Sequence, residues 1–324
     1  MRSRRGGYVG TPCSHHPARL RGHPSSGRRG IRLVARSTQM KPAPFEYHAP
    51  TTVEAAVALL AEVAPREGRV LAGGQSLVPA MALRLALPGH LVDINNVSGL
   101  DRLAVAAGEL AIGACVRHAA FHRPAADGPL GALLSHVVRH IAHYPIRTRG
   151  TFCGSLAHAD PASEWCLVAA TLDARMMARS VRGARAVAAA DYFQGPMTTA
   201  LAPDELLAEV RLPILPPDTR FGFCEFSRRA GDFAIAMALV TFRIRHGVMT
   251  GARIGVGGVE GSPRRIGVAE SMLEGQRPSG EVFRAAADRV AGSVEPLEDA
   301  RYSTRYRRDL ARVLTRRALE SAAA

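Results

Sequence analysis

The stretch GTFCGSLAHADPASEW, residues 150–165, places Gly150, Gly154 and Ser155 around a Thr-Phe-Cys step, with His158, Asp160 and Glu164 a few residues on. Small residues let the chain turn close to a ligand. Backbone N–H groups exposed in such a turn bind an anion with no lysine or arginine in the turn itself. A second stretch, AGGQS at 72–76, offers the same chemistry between the apolar run GRVL and the segment LVPAMALRLAL. Either one alone is a weak signal that an ordinary tight turn explains better. Two of them in neighbouring α/β units suit the two phosphates of one dinucleotide, gripped from opposite sides. Arg147 and Arg149 flank the turn at 150–155, either as long-range charge or as solvated surface.

Outward from these turns the pattern is mixed. Residues 51–64, TTVEAAVALLAEVA, read as a helix with a Thr51–Glu54 capping box and Val53, Val57, Leu60 and Ala64 on one face. GRVLAGGQS reads as a strand and turn, LVPAMALRLAL as helical after Pro79, and HLVDINNV as a strand. LAVAAGELAIGACV (103–116) predicts a hairpin turned at Ala107-Gly108, and GALLSHVVRHIAHY (131–144) a helix that leads straight into the turn at 150–155. ASEWCLVAATLDARMMARS (162–180) predicts a buried helix or strand pair, and DELLAEVRLP (204–213) a strand. The three prolines of PILPPDT (213–219) mark a boundary. Beyond it come FGFCEFSRR, the helix-like DFAIAMALVTFRI (232–244), MTGARIGVGGV and a basic helix at 303–321 with Tyr306, Leu310, Val313 and Leu314 on one face.

The chain has 324 residues, more than one core usually serves, so two or three subdomains are expected. Its net charge of +14 would raise nucleic acid as a partner, but nine of those charges are arginines in residues 1–39, which hold no acid, leaving +5 on the other 285. That segment reads as an unpatterned leader, whether targeting signal or basic arm, or as sequence ahead of a start at Met40. No aromatic-basic or helix-turn-helix signature supports nucleic-acid binding. No apolar run approaches the roughly 18–20 residues of a membrane span, and no secretory pattern is present. Five scattered cysteines contain no C-x-x-C pair, so no metal or iron–sulfur cluster is expected on this chain.

Other motifs carry less. GVGGVEG (255–261) is followed by Ser262-Pro263, which no helix follows, so it reads as strand and turn and not as a Rossmann fingerprint. His158 and Asp160, two apart on an extended segment, are not forced into contact, and Asp160 before Pro161 is a common turn former. Cys153 has no neighbouring base, which argues against a nucleophile. No catalytic residue is expected.

Taken in order, AGGQSLVPAMALRL, LVDINNV, IRTRGTFCGSLAHADPASE, DELLAEVRLP and SRRAGDFAIA resemble the FAD-binding subunit of molybdenum hydroxylases, the xanthine dehydrogenase family, and within it the separate medium subunit of the aerobic carbon monoxide dehydrogenase type. The resemblance runs from Met40 to the last helix. It implies an α+β chain with a vanillyl-alcohol-oxidase-type FAD-binding fold of two α+β subdomains, 40–98 and 99–215, and a smaller C-terminal α+β domain at 220–324. It implies that Ala72, Gly73, Gly74, Gln75 and Ser76 wrap the pyrophosphate of FAD and that Thr151, Gly154 and Ser155 hold it from the other subdomain. Glu164 matches a position on the sugar–adenosine side, Leu206 a backbone position near the flavin ring, and Ile141 a packing position beside the adenosine.

Cys153 departs from the family's Thr-x-Gly-Gly-Asn. It would cost about 1 kcal/mol or more if that position needs positive φ, and little if it needs only a small residue. The resemblance further implies a cytoplasmic electron-transfer flavoprotein, partnered by a molybdenum-cofactor large subunit and a small subunit with two [2Fe-2S] clusters in a dimer of heterotrimers. Its FAD would deliver electrons to a quinone, dioxygen or NAD. The alternative is a stand-alone FAD oxidase of the same fold.

Overall fold

The computed structural model describes residues 41–324; the expectations for residues 1–39 lie outside the described residues. The first part is β1 (Glu46–His48), α1 (Val53–Val63), β2 (Gly68–Leu71), α2 (Leu77–Ala82) and β3 (His90–Asp93). Its three strands are parallel in the order β1-β3-β2. The helix α1 is capped by Thr52, whose hydroxyl accepts from the Ala55 N–H, so the cap is one residue later than the Thr51–Glu54 box expected from sequence. The helix α2 starts ahead of Pro79, not after it. Pro79 sits in its first turn, where a missing N–H breaks no helical bond.

The second part comprises β4 (Leu103–Ala106), β5 (Glu109–Gly113), α3 (Gly128–Val137), α4 (Tyr144–Arg147), α5 (Phe152–His158), α6 (Glu164–Thr171), β6 (Arg175–Ser180), β7 (Gly183–Ala188), α7 (Ala189–Tyr192), β8 (Phe193–Gly195), β9 (Thr198–Thr199) and β10 (Leu206–Pro213). Five strands form an antiparallel sheet in the order β4-β5-β10-β6-β7, and β8 pairs with β9. The hairpin turned at Ala107-Gly108 is present, both residues having positive φ. The helix expected over 131–144 is shorter: α3 ends at Val137, and Ala142 at φ 42° turns the chain. Every residue of α6 is buried, the apolar run Trp165–Ala170 together with Glu164 and Thr171 at its two ends.

The third part, β11 (Thr219–Phe226), β12 (Ala236–Arg245), β13 (Val248–Gly257), β14 (Arg264–Arg265), α8 (Gly267–Glu270), α9 (Gly280–Ser293) and α10 (Thr304–Ala323), is an antiparallel sheet in the order β11-β12-β13-β14 backed by α9 and α10. Residues 232–244, helix-like from sequence, instead contain β12. Ala236, Ala238, Val240 and Phe242 face the helices, while Met237 and Leu239 face the core of the first two parts. A strand buried on both faces is a continuous apolar run with no alternation to betray it. The segment GVGGVEG is the end of β13 and a turn at Gly258 (φ 73°). Among the described residues no helix is long and apolar enough to cross a membrane.

One apolar core runs without interruption from α1 and β3 through α3, α5 and α6 to the near face of β11 and β12. At its centre Trp165 meets Phe152 and Phe121, with ring centroids 4.8 Å and 5.1 Å away. These aromatic contacts fix α5 and α6 beneath the glycine turns.

Candidate functional site

The strand β2 ends at Leu71, and residues 72–76 turn into α2. At Gly73 a β-carbon would lie 2.4 Å from the Arg149 carbonyl oxygen and 2.6 Å from Gly150 Cα, so only glycine lets the first turn rest on the backbone of the second. Gly74 has φ 71°, a conformation that favours glycine. The two small-residue turns, 76 residues apart in sequence, therefore abut. The second is not a loop: Thr151 is the N-cap of α5, its hydroxyl accepting from the Gly154 N–H at 3.0 Å. Gly150 packs on the His118 ring, where a β-carbon would come within 2.5 Å of Nε2. Trp165 Nε1 donates to His118 Nδ1 at 2.9 Å, and burial, with Arg117 and Arg147 nearby, lowers the His118 pKa to about 4. This imidazole is neutral at neutral pH and serves as a floor.

A bridge that sequence reasoning missed ties the turns together. Asn95, just past β3, donates through Nδ2 to the Ala72 carbonyl at 2.8 Å and to Asp93 Oδ1 at 2.6 Å. Arg117 donates to Asn95 Oδ1 at 2.6 Å and to the Arg149 carbonyl. Asp93 in turn accepts from the Tyr47 hydroxyl at 2.6 Å. The only sequence signal was polar: the DINN run at the end of a strand.

A cleft of about 400 Å³ opens here, lined by Leu71, Ala72, Gly73, Gly74, Gln75, Val78, Pro79, Asp93, Asn95 and Arg149. Among the described residues no protein acceptor engages the backbone N–H groups of Gly73, Gly74, Gln75 and Ser76. Successive free N–H groups in a turn, with one arginine beside them, form an anion nest. That chemistry fits a diphosphate.

Of the expected residues, Ala72, Gly73, Gly74 and Gln75 line this cleft, and Ser76 stands at the N-cap of α2 without a side-chain capping bond. Thr151, Cys153, Gly154, Ser155, Ile141, Glu164 and Leu206 do not line it. Thr151, Gly154 and Ser155 form the first turn of α5 behind it, and Leu206 opens β10. Cys153 is helical and buried, and its thiol points at the Ile112 carbonyl, 3.4 Å away; burial pushes the thiol well above its usual range. Its φ is not positive, so the strain considered from sequence does not arise.

Glu164 starts α6, and its charge reaches Glu225 of β11, which lies beside His140. Burial raises Glu164 to about 7, despite a backbone hydrogen bond, with Asp160 adding to the rise. Burial, then the nearby Glu164, raises Glu225 to about 8. Glu225 Oε2 lies 3.7 Å from His140 Nδ1, too far for a hydrogen bond, and has no other protein partner. Burial and then His136 lower the His140 pKa, so this pair meets with both members neutral. Glu225 and His140 were invisible to sequence reasoning because only the fold brings β11, which carries Glu225, beside His140.

Residues 43–215 match the family described as the FAD binding domain in molybdopterin dehydrogenase. The chain belongs to this family. Residues 221–322 match a second description, the CO dehydrogenase flavoprotein C-terminal domain. The nicotine 6-hydroxylase medium subunit of Paenarthrobacter nicotinovorans is 38% identical over 285 residues, 88% of this chain and 99% of that one. The carbon monoxide dehydrogenase medium chain of Hydrogenophaga pseudoflava is 33% identical, covering 87% and 98%. The solved carbon monoxide dehydrogenase from Hydrogenophaga pseudoflava superposes with a TM-score of 0.83 at 34% identity, and quinoline 2-oxidoreductase from Pseudomonas putida 86 with 0.81 at 36%; each match covers 87% of this chain and 98% of the other. This member of the molybdopterin dehydrogenase flavoproteins is thus an FAD-binding oxidoreductase subunit with an electron-transfer role, and the fold class read from its sequence holds.

Proposed function

We propose that this chain binds FAD with its pyrophosphate on the 72–76 nest and hands on electrons received from an iron–sulfur subunit. The observation that carries the reading is the set of four free N–H groups on a turn locked against the second glycine turn, inside the segment that matches the FAD-binding family. Ala72, Gly73, Gly74, Gln75 and Ser76 contact the diphosphate. Thr151, Gly154 and Ser155, with Cys153 packed beneath, present the positive end of α5 towards it, which adds favourable field without a mobile cation. Glu164 receives the sugar–adenosine side, with Ile141 packing beside the adenosine. The Leu206 backbone lies near the ring. Arg117 and Asn95 hold the two turns at one spacing.

Bound FAD supplies exchange between one-electron and two-electron transfer. The protein's part is to place it, on turns that rest on the uncharged, buried imidazole of His118. The relatives of nicotine, caffeine and carbon monoxide enzymes are 38%, 34% and 33% identical to this chain. One flavin scaffold thus serves chemically unrelated substrates, and substrate choice falls to a molybdenum-cofactor large subunit. A small subunit with two [2Fe-2S] clusters supplies the electrons. The complete particle is a dimer of heterotrimers in the cytoplasm.

The test is to express the chain with its neighbouring subunits, purify the assembly, denature it and identify the released cofactor. One FAD per chain, together with copurified molybdenum and iron–sulfur subunits, is the expected result. Folded protein without flavin would refute the cradle. FAD on a chain that stays alone and turns over substrate with dioxygen would refute the complex.

A further inference from the structure

We propose that Glu46, His48 and His90 bind a divalent first-row transition metal of the zinc class, which fastens the edge strand β1 to β3. Glu46 and His48, two apart on a strand, point to the same face, and the parallel register sets Glu46 directly beside His90. His48 Nε2 lies 3.1 Å from His90 Nδ1, the rings stack at 5.4 Å, and Glu46 Oε2 lies 3.5 Å from the same His90 Nδ1. All three donor atoms fall within 4.8 Å of one another.

These separations suit a metal. With metal–nitrogen bonds of about 2.0–2.1 Å and angles near 95–110°, cis donors stand roughly 3.0–3.4 Å apart. A hydrogen-bonded His–His pair accounts for the site less well. His90 Nδ1 faces both His48 Nε2 and the Glu46 carboxylate, and a single N–H or lone pair cannot satisfy both. A cation placed among the three uses a lone pair from each. Two imidazoles and one carboxylate on one side, with the Glu46 side open to solvent, leave positions for water. His90 is buried, and the two strand backbones fix the spacing before any ion arrives. The site sits at the start of β3, whereas Asp93 of the FAD cleft ends it, about 10 Å along the strand. The metal's role is therefore structural: it pins a three-residue edge strand whose free side is a liability.

No sequence spacing announces this set, because 42 residues separate the histidines. The test uses the full-length chain in its purified assembly, stripped of metal by chelator with FAD retained. Wild type, His48→Gln and Glu46→Gln are titrated with Co(II) and followed by visible absorption, then heated with and without Zn(II). Wild type is expected to bind one more equivalent of Co(II) than His48→Gln, and Glu46→Gln to bind it about tenfold or more weaker. Zn(II) should raise the melting temperature of wild type but not of His48→Gln, at equal FAD content. Metal held by Cys13, His15 or His16 is common to all three proteins and cancels. Equal Co(II) stoichiometry and equal Zn(II) shifts in wild type and His48→Gln would overturn the proposal, whatever the flavin content.

Discussion

Substituting Gly73 with alanine tests the cradle most directly. The added methyl would lie 2.4 Å from the Arg149 carbonyl oxygen and 2.6 Å from Gly150 Cα, both backbone atoms with no rotamer to yield. Restoring ordinary contact near 3.4 Å requires the turns to part by about 1 Å, an overpacking cost of about 1–3 kcal/mol. The larger effect falls on the ligand. Charge-assisted hydrogen bonds contribute about 1.5–3 kcal/mol each and lengthen with that displacement. Losing two of them weakens FAD binding by roughly a hundredfold to ten-thousandfold. The assay is the FAD-to-protein ratio after purification, with the dissociation constant from flavin fluorescence on cofactor-stripped protein. Gly108→Ala is the control. Unlike Gly73 it has positive φ (77°), and nothing lies within 4 Å of the new methyl, so it should lose about 1 kcal/mol of stability through backbone strain alone and no FAD affinity. A Gly73→Ala protein that folds and holds FAD within threefold of wild type would refute the argument.

Further expectations follow from the same geometry. Cys153→Gly should bind FAD no tighter and be less stable by about 1–2 kcal/mol in denaturant unfolding, because the thiol is buried in a helix of ordinary φ. Arg117→Ala removes the link between Asn95 and Arg149 and should weaken FAD about tenfold, read by the same fluorescence titration. Glu225 carries a folded pKa of about 8, above the 4.5 of a free side chain, so the folded state holds the extra proton. Its contribution is intact below about pH 4.5 and is lost as pH climbs through about 8. In cofactor-stripped protein, Glu225→Gln should accordingly raise the melting temperature at pH 8.5 and change it little at pH 5. An equal shift at both pH values would remove burial of the carboxylate as the cause.

The sequence by itself determined what local rules govern. Two clusters of small residues announced turns that approach something closely, the hairpin at Ala107-Gly108 followed from turn chemistry, and the order of the motifs carried the family and its cofactor. It misjudged 232–244, because a strand buried on both faces alternates in nothing but small against large apolar residues. It placed the cap of α1 one residue early, since Thr51 and Thr52 offer the same hydroxyl and only the backbone chooses.

What tertiary structure decided was contact between distant segments. That Gly73 rests on Arg149 and Gly150, that Arg117 reaches Asn95, that Glu225 comes within 3.7 Å of His140, and that His90 meets His48 are all consequences of strand order and register. The physical reason is that side-chain chemistry is written locally, while the distance between two groups is set by how buried apolar faces pack. Many sequences satisfy that packing without leaving a spacing rule behind.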